Sequence, residues 1–179
     1  MFINQKIIKF FILLICFNIF SSISQTNEDI PLDNIAINEI PRPISSIIFE
    51  DFTNNKIQLS DYKGKLIIIN FWATWCAPCK KEMPSLDNLY QNSSFKNLEI
   101  FAVNMEAPNT FKTKKFFEDI KIKKLKIFFD KKLNFVKEFK LRGVPTTIFI
   151  NKKGEEFARI IGEANFQEKN FIKWLLKYD

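Results

Sequence analysis

Cys76 and Cys79 stand two residues apart in Trp75-Cys76-Ala77-Pro78-Cys79, where a continuous apolar run gives way to a helical pattern. The start of a helix offers unpaired backbone N–H groups and the positive end of the helix dipole, and both stabilise a thiolate. In Cys-x-x-Cys pairs the first thiol falls from about 8.5 to between about 3.5 and 7.5, and the thiolate is the form that attacks disulfides. Cys76 is therefore the expected nucleophile. Cys79, close enough to bond with it, is expected to attack the mixed disulfide and release the reduced partner. Pro78 lacks an N–H and suits the first helical turn, stiffening the ring that the two sulfurs close. Glu82 lies one turn beyond Cys79, where a carboxylate can relay protons during exchange; its spacing fits a solvated helix glutamate equally well.

The chain holds no histidine. That removes Ser-His-Asp hydrolysis, Cys-His proteolysis and every His-ligated metal or haem site. A structural zinc site needs four ligands and finds two thiols here, so no metal site is expected. A Cu(I) carrier using the same two sulfurs stays open. A peroxide-reducing enzyme would need its reactive cysteine elsewhere, and the Cys76–Cys79 spacing argues against it. Among 179 residues, 46% are hydrophobic, 26% charged and only four glycine. This balance builds a core and excludes disorder and Gly-rich architectures. The net charge of +7 comes almost entirely from Lys, in a chain also rich in Ile, Asn and Phe. That joint excess is what AT-rich coding produces, so neither the charge nor the Lys-dense stretch 112–140 is read as a nucleic-acid site.

Residues 1–24 have the layout of a secretory signal peptide: Lys6 and Lys9, an apolar run from Phe10, then Ser21 to Ser24. The run is short for a spanning helix, which leaves a membrane anchor as second choice. Cys16 lies inside it. Export would place the remainder in an oxidising compartment, periplasmic and either soluble or tethered to the inner membrane.

The polar stretch 25–43, closed by Pro41-Arg42-Pro43, reads as a linker. Residues 47–52 and 56–59 read as a hairpin, 66–72 as a fully buried central strand, and 78–90 as a helix with Pro84 inside. Strands follow at 99–103, 125–129, 146–150 and 155–161, with helices at 111–120 and 133–139. A last helix is expected to open on Asn165 and Glu168 as a capping pair. This alternation implies an α/β fold over 44–179, a mixed central sheet with helices on both faces preceded by an N-terminal hairpin.

Two stretches closely resemble the TlpA-type branch of the thioredoxin superfamily: residues 69–86, centred on Trp72-Ala73-Thr74-Trp75-Cys76-Ala77-Pro78-Cys79-Lys80-Lys81-Glu82, and Arg142-Gly143-Val144-Pro145-Thr146-Thr147. The resemblance covers 44–177 and implies a thioredoxin-like three-layer sandwich. It makes Pro145 a cis-proline opposite the dithiol and gives the Val144 backbone to a bound peptide, with Trp75 and Pro78 as further substrate contacts. Glu82 matches the acidic residue important for exchange in this branch, and Asn70 stands where cytosolic thioredoxins keep a buried Asp. Trp72 and Trp174 read as core. The implied protein is a monomeric thiol:disulfide oxidoreductase whose redox group is the Cys76–Cys79 pair, without a cofactor. The expected direction is reductive, on the disulfide of an apocytochrome c or of a copper-site assembly protein, with a membrane electron donor of the CcdA/DsbD type and no nucleic acid.

Overall fold

The structure is a computed structural model that describes residues 32–179; the segment expected to be a signal or anchor, 1–24, lies outside them. At the centre is β4, Leu66–Trp72, buried at all seven positions. Its side chains alternate between two cores: Leu66, Ile68 and Trp72 enter one, Ile67, Ile69 and Phe71 the other. A strand covered on both faces draws apolar residues to both, which is why six of its seven positions are apolar and the one polar residue, Asn70, is buried with hydrogen-bond partners.

Parallel β5, Leu98–Asn104, lies on one side of β4, and antiparallel β7, Thr146–Ile150, on the other. Outside β5 comes β6, Ile127–Phe129, and outside β7 comes β8, Glu155–Ile161. The expected hairpin forms from β2, Ile48–Asp51, and β3, Lys56–Gln58, and it extends the sheet beyond β6. Its turn is closed by Asp51, whose carboxylate accepts the N–H groups of Thr53 and Asn55 at 2.8 and 2.9 Å.

The linker expected over 25–43 is corrected in its second half. Ile35–Pro43 forms β1, a nine-residue strand antiparallel to β8 at the sheet edge, and Leu32 before it is buried. The full order is β1-β8-β7-β4-β5-β6-β2-β3. As an edge strand β1 bonds on one side only, so Pro41 and Pro43 are tolerated, and its pairing is irregular between Ile37 and Arg42. No two-residue period survives in such a strand.

Helices α1, Ala77–Tyr90, α2, Thr110–Asp119, and α4, Lys169–Leu175, pack on the core that holds Trp72. The short α3, Asn134–Phe139, covers the opposite face through Phe135 and Phe139. Trp72 is wholly buried and stacks on Phe116 at 4.8 Å, and Trp174 is buried in the same core. The Asn165–Glu168 capping pair does not form. Helix α4 begins after Glu168 without a side-chain cap, and Asn165 Oδ1 accepts the Gln167 N–H at 3.1 Å in the loop before it.

Asp87 fastens α1 to the rest of its layer: its carboxylate accepts the N–H groups of Lys123, Lys124 and Leu125 at 3.1, 2.8 and 2.8 Å, just before β6. Asp87→Ala unpairs three donors and is expected to lower stability by about 2 kcal/mol in urea unfolding. A loss below about 0.5 kcal/mol would show that solvent replaces the carboxylate there.

Candidate active site

The chain leaves β4 at Trp72, turns through Ala73 to Trp75, and enters α1 with Cys76 as its N-cap. Cys76 and Cys79 form a disulfide with their Cα atoms 5.3 Å apart. Cys79 is fully buried, while Cys76 keeps 3% of its surface exposed. An incoming sulfur therefore meets Cys76 first. The Cys79 N–H donates to Cys76 Sγ at 3.2 Å, one of the free first-turn N–H groups of the helix aimed at the sulfur that must carry negative charge. Pro78 sits in the first turn and is exposed, as is Trp75 at 70%.

The Val144–Pro145 peptide is cis. Pro145 is buried and immediately precedes β7, whose first residue, Thr146, pairs with Phe71 near the end of β4. The cis-proline loop and the disulfide thus occupy the same end of the sheet. Val144 is half-buried and touches both cores. Among the described residues no hydrogen bond engages its N–H or C=O, leaving that short length of backbone open to an added strand.

Glu82 is 2% exposed, which separates it from a solvated helix glutamate. Its Oε1 accepts from Asn70 Nδ2 at 2.7 Å and its Oε2 from the Ala164 N–H at 3.1 Å. Burial pushes its carboxyl up from 4.5 to about 7 against the opposing effect of these two hydrogen bonds. The group is thereby poised to take or give a proton near neutrality. Asn70, on β4, also donates to Thr147 Oγ1 at 2.9 Å on β7, so the glutamate is held through two central strands.

Three contributors escape sequence reading. Thr147 and Ala164 reach Glu82 or its partner only through the fold. The third, Glu106, braces the turn before the dithiol: its carboxylate accepts the Thr74 N–H and hydroxyl and pairs with Lys112 at 2.8 Å. Burial opposes its ionisation, but the bonds from Lys112, Thr74 and Asn104 prevail and hold it below the usual carboxylate range. The only local signal for Glu106 was its place just past β5, the parallel neighbour of β4.

The arrangement can carry out thiol–disulfide exchange: a reachable sulfur at a helix N-terminus, a buried second sulfur bonded to it, a proton-exchanging carboxyl one turn on, and an open backbone edge for a polypeptide. The AhpC/TSA family matches residues 41–155. The thiol-disulfide oxidoreductase ResA of Bacillus thuringiensis subsp. konkukian is 34% identical over 130 residues, 73% of this chain and 74% of that protein. ResA of Bacillus subtilis is 28% identical over 162 residues, 90% of this chain and 85% of its own length. The crystal structure of StoA from Bacillus subtilis superposes with a TM-score of 0.60 at 25% identity, covering 77% of this chain and 98% of StoA. A secreted thiol-disulfide isomerase from Corynebacterium glutamicum shares the fold, with a TM-score of 0.68 at 17% identity over 80% of this chain and 92% of that one. The chain belongs to the AhpC/TSA family of thioredoxin-like proteins and, within it, to the thiol-disulfide oxidoreductases of the ResA type.

Proposed function

We propose that this protein works as an exported reductant of protein disulfides, with an apocytochrome c or a copper-site assembly protein as substrate and a membrane protein of the CcdA/DsbD type as electron donor. The observation that carries the reading is the Cys76–Cys79 pair at the head of α1, at the same sheet end as the unpaired Val144 backbone. The exported location rests on the signal-like residues 1–24, and the substrate class on the resemblance to the TlpA-type branch.

In the reductive direction Cys76 thiolate attacks one sulfur of the substrate disulfide, and the other substrate sulfur leaves as a thiolate. Glu82 in its ionised form takes the proton of Cys79. The Cys79 thiolate then attacks Cys76 Sγ, the Cys76–Cys79 disulfide forms, and the second substrate sulfur departs. Two electrons have passed to the substrate. The donor returns them by the same steps in reverse, and the proton comes back from Glu82.

Ala77 and Pro78 between the cysteines include no histidine, unlike the strongly oxidising relatives, which supports the reductive direction. The reduction potential of residues 32–179, measured against a glutathione series, is expected near the thioredoxin value of about −270 mV. A value above about −150 mV would reverse the assigned direction while leaving exchange itself intact.

A further inference from the structure

We propose that the cleft beside the Val144–Pro145 loop is a subsite for acidic residues flanking the reactive cysteine of the substrate. The inference rests on the exchange reading above. The cleft holds about 600 Å³, and Gly143 and Thr146, which bracket the cis peptide, form part of its wall. A substrate strand laid along Val144 advances about 3.3 Å per residue. A side chain two or three residues from the attacked cysteine therefore travels about 7 to 10 Å along the loop, in one direction toward Arg142.

The charge in this cleft is unbalanced. Arg42 pairs with Glu138 at 2.7 Å and with Glu156 at 2.9 Å, and Arg159 also pairs with Glu156. Those two carboxylates are taken up by the two arginines. The side chains of Lys140 and Arg142, both exposed and both lining the cleft, have no ion-pair or hydrogen-bond partner among the described residues. The floor is fixed: the Arg42 guanidinium lies 5.6 Å over the Phe139 ring, and Arg159 Nη1 donates to the Phe139 carbonyl at 3.2 Å. Lys140 adopts a left-handed φ of 51° at the end of α3. That turn brings the chain back so that Lys140 and Arg142 border one space. Ile161, 66% exposed, gives the same cleft an apolar wall against which a Glu stem can lie. Two unpaired cations above a braced floor, next to an open backbone edge, match a carboxylate-bearing extended peptide.

The test uses the pre-reduced protein and three disulfide-bearing peptides that differ only two and three residues from the cysteines, where they carry Glu, Ser or Lys. Tryptophan fluorescence in stopped flow follows oxidation of the protein. The Glu peptide is expected to react about fivefold faster than the Lys peptide at low salt, with the gap closing at about 1 M salt. Arg142→Glu is expected to invert that order. Lys173→Glu, the same charge change on α4, is expected to retain it. A Glu-to-Lys ratio below two in the unmodified protein, or an equal shift of the ratio by the two variants, overturns the subsite. Failure of all three peptides to oxidise the protein overturns the exchange reading itself, whereas equal rates remove the subsite alone.

Discussion

Cys79→Ser protein is expected to accumulate as a covalent complex with its substrate, and Cys76→Ser protein to lose exchange by at least about a thousandfold. The asymmetry follows from exposure: Cys76 retains a small accessible surface and Cys79 none. With Cys79 replaced, Cys76 still attacks, and no second thiol among the described residues can break the bond it has formed. With Cys76 replaced, the remaining thiol is sealed on the buried face of α1. Non-reducing electrophoresis and mass spectrometry of the full chain, expressed with each variant, distinguish the two. Accumulation of the complex in the Cys76→Ser protein would interchange the roles of the sulfurs.

Glu82→Gln is expected to slow exchange by about a hundredfold and, in the oxidised protein, to raise stability at alkaline pH. Below the ordinary carboxyl value of 4.5, Glu82 is protonated in both folded and unfolded chains and contributes no pH dependence. Between 4.5 and about 7 the unfolded chain releases this proton while the folded one keeps it, so stability falls as pH rises. Above about 7 the whole penalty is present, about 3 kcal/mol at about 1.4 kcal/mol per pH unit. Gln carries no such penalty but presents one acceptor where Glu82 presented two, so a net gain of about 2 kcal/mol at pH 8 is expected. Urea titrations at pH 4 and pH 8 read it directly, since the bonded cysteines do not titrate. An unchanged pH dependence in the variant would assign it to another group.

The sequence was most legible where burial is complete. The run 66–72 announces β4 because both of its faces are covered, and the dithiol follows where that strand must end. Helix α1 was readable despite Pro84, since Met83, Leu86 and Leu89 recur at helical spacing and all three are buried. β1 was not readable, because a one-sided edge strand with irregular pairing leaves no alternation to detect. Glu82 shows the same division within the site. Its spacing from Cys79 was visible, but its burial depends on Asn70, twelve residues earlier, and on Ala164, eighty-two residues later. Contacts at that separation exist only after β4, β7 and the loop after β8 have come together. The cis peptide at Val144–Pro145 was reached through the resemblance alone, because Val-Pro ahead of a strand gives no local sign of its isomer.

Because β1 commits nine residues to the sheet, it makes them part of the folded body. Nine extended residues correspond to about 30 Å of span. A chain cut at residue 44 would thus lose an edge strand rather than a tether, and β8 would become the outer edge of the sheet.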